Sequence, residues 1–175
     1  SRPQNIKYYF KPAITWSDVT SGSFSGRYAE QGFMFDIKGS SGFPEIEWLP
    51  YILALLNSKV AQVFIKILNP TVTTQVGDMT RIPVIKNNVE IVKKLSEKCI
   101  CNAKEDWDSF ENSWDFEQHP LIMVKDRYLD MSNKEKGNLE LAWNIWQKIC
   151  ENRFLQQKEN EEEINRIFIE TYELE

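Results

Sequence analysis

Residues 51–76 read YILALLNSKVAQVFIKILNPTVTTQV, and this stretch decides how the first half of the chain folds. Its apolar side chains recur at three and four residues, which is the spacing of one helix face. Pro50 is compatible with a first helical turn, and Asn69-Pro70 is a helix stop because proline lacks the N–H that would continue the helix. The stretch therefore predicts one amphipathic helix. Its apolar positions are Ile52, Leu55, Leu56, Val60, Val63, Phe64 and Ile67.

The segments on both sides of this helix are β-rich and aromatic. YYFKPAITWSDV and GFMFDIKG predict strands. In the second, Phe33, Phe35 and Ile37 alternate with Met34 and Asp36, a period of two that indicates a strand with one buried face. The polar loop TSGSFSGRYAEQ separates the two segments. After the helix, TVTTQV alternates β-branched residues, and DMTRIPVI predicts a short edge strand that closes the region.

The second half of the chain is predicted to be helical. One helix lies in NNVEIVKKLSEKCICNAKEDWDSF, an irregular stretch follows it, and a second apolar stripe comes after that. Two striped helices in one chain are expected to pair antiparallel. We expect the second stripe to be buried against the helix around Val92 to Cys99, because its spacing of 4, 3 and 4 is that of a coiled-coil seam. The stripe consists of Leu139, Trp143, Trp146 and Cys150, and Ile164, Ile167 and Phe168 continue an apolar face.

Four tryptophans lie among acidic residues in this half: Trp107, Trp114, Trp143 and Trp146. Such a group can offer a stacking surface for single-stranded nucleic acid, but helical spacing favours core positions. The acid run at residues 161–163 predicts a solvated helix face. The predicted architecture is thus α+β. A small mixed sheet with one helix occupies residues 1–85, and a long antiparallel helical pair with an irregular connector occupies residues 86–175.

The composition of the chain is that of a globular protein. Hydrophobic residues make up 42% of its 175 positions and aromatic residues 13%, which argues against a disordered chain. No apolar run reaches the length that spans a bilayer. The start, SRPQNIKYYF, is not a signal peptide, and we interpret the chain as a fragment of a longer protein. Three cysteines without a disulfide framework indicate a reducing, cytoplasmic setting, and neither they nor His119 have the spacing of a metal site.

The charge is unevenly distributed along the chain. The net charge is −5, but residues 1–85 hold 8 basic and 6 acidic side chains, whereas residues 86–175 hold 13 and 20. A nucleic-acid surface is therefore expected in the first half. A balance of +2 is too small to supply strong phosphate affinity without help from other parts of a larger protein.

Two long segments carry a resemblance to a known family. ITWSDVTSGSFSGRYAEQGFMFDIKGSSGFP, followed by YILALLNSKVAQVFIKILNPTVTTQVGDMTRIPV, resembles the C-terminal region of large adenine-specific DNA methyltransferases. These are type IIG restriction–modification enzymes and the PglX-type methyltransferases of phage-exclusion systems. KEDWDSFENSWDFEQHPLI and FLQQKENEEEINRIFIETYEL look like the tail of the same proteins. The block around LNSK, NPT, GD and IPV is also similar, more loosely, to target-recognition domains of type I specificity subunits.

The resemblance implies that catalysis belongs to a different part of such a protein. The catalytic signature of the family is Asn/Asp-Pro-Pro-Tyr/Phe, whose turn and aromatic ring hold a flipped adenine. In this chain Asn69-Pro70 is followed by Thr71-Val72, so the second proline and the aromatic residue are missing. A Gly-rich loop that opens a helix after a strand, as cofactor binding requires, is also missing from the sequence. The chain is predicted to be catalytically inactive and to bind no cofactor, whereas its parent would use S-adenosylmethionine.

Two segments are the candidates for DNA contact. In SGSFSGRY, serine hydroxyls can bond phosphates, Arg27 can pair with guanine or phosphate, and Tyr28 can pack on sugar or base. In TVTTQVGDMTR, Gln75 can pair with adenine and Arg81 can reach phosphate or guanine. The alternative is that the first is a solvated hairpin loop and the second a plain connection, in which Asp78 makes local turn bonds. The candidate DNA-binding residues are Ser21, Ser23, Ser25, Arg27, Tyr28, Thr73, Gln75 and Arg81.

The sequence thus favours a DNA target-recognition segment of an adenine-specific methyltransferase, with or without an attached nuclease. Its expected partners are double-stranded DNA, an upstream methyltransferase domain and other subunits of a defence system, and a membrane is not among them. The rival is a protein-interaction module whose acidic helices dock a partner subunit. The surface discriminates between them. A basic groove lined by Arg27, Gln75 and Arg81 supports DNA readout, and a flat apolar patch on the helices supports docking.

Overall fold

The computed structural model describes residues 4–36, 38–128 and 139–174, and the α+β class is confirmed in it. The chain divides into two compact units. Unit 1 consists of Ser1–Glu97 and Glu161–Glu175, and unit 2 of Lys98–Asn160. The division predicted between residues 85 and 86 stays a prediction.

Unit 1 is built on a three-stranded antiparallel sheet in the order β2-β1-β3, where a mixed sheet was predicted. The strands are β1 (Ala13–Ser17), β2 (Arg27–Ala29) and β3 (Gly39–Gly42). On the central strand, Ile14 and Trp16 are almost fully buried on one face. Gly42 lies against the Trp16 ring, where an added Cβ would come 3.7 Å from it. The small residues of β3 therefore fit beside a large indole.

Two helices take the place of the single amphipathic helix that the sequence predicts: α1 (Leu49–Asn57) and α2 (Lys59–Leu68). They are bent by 72° at Ser58. The Ser58 hydroxyl donates to the Leu55 carbonyl (2.7 Å) and accepts from the Ala61 N–H (3.2 Å), so it ends one helix and caps the next. The bend turns part of the predicted apolar face outward, and Ile67 is 72% exposed. Among the described residues no single helix is long and apolar enough to cross a membrane; only this bent pair reaches that length and composition jointly.

Two predicted strands are absent from the described part of unit 1. Residues 33–36 of GFMFDIKG are irregular, and the strand that pairs with β1 is the following GSSG; Ile37 lies outside the described residues. Residues 80–85 of DMTRIPVI are not a strand either, because the chain forms the short helix α3 (Val76–Met79) and then a turn. In the described residues, neither segment has a neighbouring strand to complete its backbone hydrogen bonds.

In the part of the chain that the structure describes, three further helices follow: α4 (Val89–Trp107), α5 (Pro120–Tyr128) and α6 (Leu139–Thr171). Within unit 1, Ile164, Ile167 and Phe168 are buried as predicted, and the Phe168 ring lies 5.5 Å from the Tyr51 ring. Within unit 2, Asn102 bonds Gln157 and Glu105 pairs with Arg153, so α4 and α6 run antiparallel there. The predicted helical pairing is observed in these contacts.

The predicted seam of the helical pair is wrong in its details. Leu139 is 68% exposed and Trp143 54%, while Trp146 and Cys150 are half-buried. The prediction of core positions also fails for two other tryptophans, because Trp107 is 56% exposed and Trp114 94%. A spacing of three and four residues defines a helix face but does not say whether another element covers it.

Candidate nucleic-acid interface

One end of the sheet gathers most of the candidate DNA-binding residues. Because the strands are antiparallel, the end of β1 meets the starts of β2 and β3: Thr15 pairs with Arg27, and Ser17 with Gly39. Arg27 thus flanks the end of β1 on one side and Lys38 on the other. We call this end, with the loop of residues 18–25 and the segment 71–75, the loop edge.

The two predicted contact segments are held side by side at the loop edge. Val19 and Thr73 form an antiparallel bridge. The Thr20 N–H donates to the Val72 carbonyl (2.9 Å), and the Thr74 N–H donates to the Asp18 carbonyl (2.8 Å). The Trp16 indole, buried in the core, also donates to the Thr74 carbonyl (3.0 Å). Residues 72–74 are therefore paired with the start of the loop that carries the serines.

The serine loop is fixed at two points. Phe24 is buried and lies 6.0 Å from the Trp16 ring, whereas Ser21, Ser23 and Ser25 are exposed. At the end of the loop, the Asn57 side chain accepts from the Gly26 N–H (2.9 Å) and donates to the Gly26 carbonyl (3.0 Å). A loop held in this way loses less conformational freedom when a ligand orders its side chains.

Gly26 is tightly packed at this fixed point. A Cβ there would come within 3.3 Å of both Ile14 Cγ2 and Phe24 Cε1. The glycine therefore lets the loop approach the core closely enough for the Asn57 amide to bond both of its backbone groups.

Two cations flank the end of β1. Arg27 is exposed and donates to the Ser17 hydroxyl (3.1 Å), which holds its guanidinium over the sheet. The Lys38 side chain is 76% exposed and lies 3.7 Å from the Asp18 carboxylate. Both cations are exposed and therefore accessible to an anionic ligand. Tyr28, the neighbour of Arg27, is half-buried on the opposite face.

The turn before Lys38 is shaped by Asp36. Its carboxylate accepts from the Lys38 N–H (2.8 Å) and the Gly39 N–H (2.6 Å). These backbone hydrogen bonds lower the pKa of Asp36 below its ordinary value. The turn thus keeps its acid ionised and bonded while Lys38 extends into solvent.

Gln75 and Arg81 lie on either side of the short helix α3. Gln75 is exposed at the N-terminus of α3, and its N–H donates to the Asp78 carboxylate (3.0 Å). Asp78 therefore makes the local turn bonds that the sequence allowed as its alternative role. Arg81 is exposed one turn later, and among the described residues no hydrogen bond or ion pair ties its guanidinium to the loop edge. Gln75 therefore lies at the loop edge. Contact of Arg81 with phosphate or guanine stays a prediction.

Asn69 is fully engaged in local structure. Its side-chain amide donates to the Thr73 carbonyl (2.9 Å) and to Asp78 (2.8 Å), and its oxygen accepts from the Thr71 N–H and hydroxyl. Its backbone N–H closes α2 by bonding the Ile65 carbonyl. Asn69-Pro70 is therefore a helix stop, as predicted, whose amide organises the 71–78 connection.

Sequence reasoning missed Lys38 at this interface and gave Asn57 only a general structural role. Lys38 was hidden inside a predicted strand. Asn57 belongs to the polar triplet Asn57-Ser58-Lys59, which interrupts an apolar stripe and was interpreted as a structural interruption that packs on the sheet; its bonds to Gly26 could not be predicted from the triplet alone. The third member of the triplet, Lys59, contacts another helix: its N–H donates to the Asn165 side chain of α6 (2.7 Å).

The described residues contain no group of three or more His, Cys, Asp or Glu side chains that could hold a metal ion. No known protein-family profile matches the chain. The chain is 41% identical, over 99% of its length, to the adenine-specific methyltransferase PglX of Lacticaseibacillus casei (strain Zhang). It is 34% identical, over 95% of its length, to the adenine-specific methyltransferase BrxX of Escherichia coli O9:H4 (strain HS). The matched region is 14% of the first relative and 13% of the second.

Proposed function

We propose that this chain is the DNA target-recognition segment of a longer adenine-specific methyltransferase. In this proposal the loop edge contacts duplex DNA and positions it, while a separate domain transfers a methyl group from S-adenosylmethionine to adenine. The protein works in the cytoplasm as part of a restriction or phage-exclusion system. The similarity to two adenine-specific methyltransferases over nearly the whole chain supports the parent activity.

The observation that carries the recognition role is the backbone pairing between residues 18–20 and 72–74. It joins the serine loop to the segment 71–75, about 50 residues away in sequence. Exposed hydroxyls and Lys38 suit phosphate oxygens, which set the register of a protein on DNA. Arg27 and Gln75 are the side chains suited to base edges, since guanidinium pairs with guanine and a carboxamide with adenine.

The local structure of Asn69 supports the assignment of catalysis to another domain. An amide that holds adenine must face an open site, whereas every polar atom of the Asn69 side chain bonds residues 71–78.

Site-directed photo-crosslinking tests the recognition role. A photoreactive benzoyl-phenylalanine placed at Ser23 of the full-length polypeptide should crosslink to a duplex that contains the methylated site. The same residue placed at Asn112, which is exposed in unit 2, should not. If the Ser23 derivative still methylates DNA but gives no crosslink, the loop edge is not the recognition surface.

A second function, protein docking, is favoured by the surface of unit 2. Large apolar side chains are exposed on it, including Trp107, Trp114, Trp143 and Phe154. Exposed apolar groups of this size are typical of surfaces that another protein covers. We propose that unit 2 docks the methyltransferase domain of the same polypeptide, so that one chain combines DNA contact in unit 1 with docking in unit 2.

Hydrogen exchange tests the docking role. Backbone amides of residues 107–114 should exchange more slowly in the full-length polypeptide than in the 175-residue chain, because a partner domain covers them. Equal exchange in the two proteins would contradict docking through this surface, and would leave the role of the loop edge in DNA recognition unaffected.

A further inference from the structure

The Arg27 side chain crosses the end of β1. Arg27 is paired directly with Thr15 across the β1–β2 ladder, and Ser17 is the next residue of β1 on the same face of the sheet. The guanidinium extends to this diagonal neighbour, where its Nη2 donates to the Ser17 hydroxyl (3.1 Å). Both side chains are exposed, so the pair lies at the surface of the loop edge.

The strand register makes Ser17, rather than Thr15, the hydroxyl that receives the guanidinium. The Thr15 hydroxyl donates to the Ser40 carbonyl of β3 (3.1 Å), on the side of β1 away from Arg27. Ser17 is paired across β1 with Gly39, which has no side chain that could bond or cover the hydroxyl. The Ser17 oxygen is therefore open to Arg27.

The partner of the guanidinium is neutral. Among the residues that the structure describes, no carboxylate forms an ion pair with Arg27; the nearby Asp18 carboxylate lies 3.7 Å from the Lys38 ammonium instead. A carboxylate partner would compete with DNA for the guanidinium, whereas a hydroxyl restricts its orientation and leaves its charge intact. Only one of the five N–H donors of the guanidinium is used by Ser17, so the others can bond a ligand.

We propose that Ser17 is a positioning residue, which holds the Arg27 guanidinium in the orientation that bonds a base edge. The assignment rests on the proposed recognition function, in which Arg27 contacts a base. Base readout by arginine depends on orientation, because two parallel N–H bonds must meet two acceptors of one base. A guanidinium oriented before binding also loses less conformational freedom on contact. Ser17 thus sharpens sequence preference through Arg27.

Methylation of a randomised target library by the full-length polypeptide tests this role. Arg27→Ala should relax the preference at one position of the site. Ser17→Ala should relax the preference at the same position by about two- to tenfold, the scale of one hydrogen bond. Ser17→Thr keeps a hydroxyl and should preserve the preference. Ser41→Ala is the matched control, because it removes a hydroxyl that lies on the same face of the sheet but bonds the Gly39 carbonyl (3.2 Å), and it should leave the preference unchanged.

A double variant separates positioning from a purely structural effect. In the Arg27→Ala background, Ser17→Ala should cause no further change in preference, because no guanidinium is left for the hydroxyl to hold. If Arg27→Ala leaves the preference unaltered, base recognition by Arg27 fails and the positioning role with it. If Arg27→Ala relaxes the preference but Ser17→Ala does not, or if Ser17→Ala has the same effect with and without Arg27, the positioning role alone is overturned.

Discussion

Asn57 connects the core of unit 1 to its exposed loop. The same carboxamide bonds both backbone groups of Gly26 and also donates to the Leu53 carbonyl of α1 (3.1 Å). These bonds lie at the surface, so water competes for them and their net contribution is modest. Their effect is geometric, because they fix the position at which the loop ends and β2 begins with Arg27.

Replacing Asn57 by alanine should therefore lower stability by about 1–2 kcal/mol. The measurement is urea unfolding of the 175-residue chain. Asn112→Ala, at an exposed position in unit 2, is the control and should change stability by less than about 0.5 kcal/mol. Equal stability of Asn57→Ala and the parent chain would mean that the Gly26 clamp does not persist in solution.

The pKa of the Asp36 carboxyl offers a second test at the residue scale. Its folded-state pKa is lowered by the N–H bonds from Gly39 and Lys38. A lowered pKa means that the turn is stabilised above the ordinary pKa of an aspartate and loses that contribution as pH falls through the folded value. We expect the Asp36 carboxyl to titrate below the ordinary value in an NMR experiment on the 175-residue chain. Titration at or above that value would show that the turn does not form.

At the scale of elements, the break between α1 and α2 at Ser58 determines which part of the predicted apolar face is turned outward. Periodicity correctly located the helical stretch and its stop at Asn69-Pro70, because side-chain spacing and a missing N–H are local properties. It did not find the bend, since Asn57-Ser58-Lys59 is compatible with a continuous helix. Two helices are favoured instead, because the Ala61 N–H donates to the Ser58 hydroxyl and the Lys59 N–H donates to the Asn165 side chain.

The strand predictions show the same limit. YYFKPAITWSDV contains β1, because Ile14 and Trp16 have a core to fill. The side chains of GFMFDIKG alternate more strongly, but the strand that pairs with β1 is GSSG. Small residues fit beside Trp16, and that preference depends on a partner strand distant in sequence. The serine loop and the segment 71–75 were both identified as candidates from their residues, and a bridge between Val19 and Thr73 joins them in the structure.

Ser58→Ala tests the bend directly. The hydroxyl is buried and bonds both helices, so its loss should destabilise the 175-residue chain by about 1 kcal/mol, the usual cost of an N-cap. Ser23→Ala removes a hydroxyl from an exposed loop position and should leave the unfolding midpoint unchanged. If the two variants unfold alike, Ser58 is not the cap that separates α1 from α2.

At the scale of the whole molecule, the proposed function assigns DNA recognition to this chain and catalysis to a separate domain. The chain matches 14% of one adenine-specific methyltransferase and 13% of another. We expect the 175-residue chain to show no binding of S-adenosylmethionine in calorimetric titration, because it lacks the glycine-rich loop and the complete catalytic signature. A one-site isotherm would contradict the division.

The central claim is that the loop edge reads DNA sequence, and methylation of a randomised target library by the full-length polypeptide tests it most directly. Arg27→Ala or Gln75→Ala should relax preference at a single position of the site, by roughly 1–3 kcal/mol for a bidentate contact. Arg81→Ala should weaken methylation of all sequences alike if it contacts only phosphate. Arg127→Ala and Gln118→Ala, exposed in unit 2, are the controls and should leave preference and rate unchanged. An unaltered site preference in both Arg27→Ala and Gln75→Ala would contradict the claim.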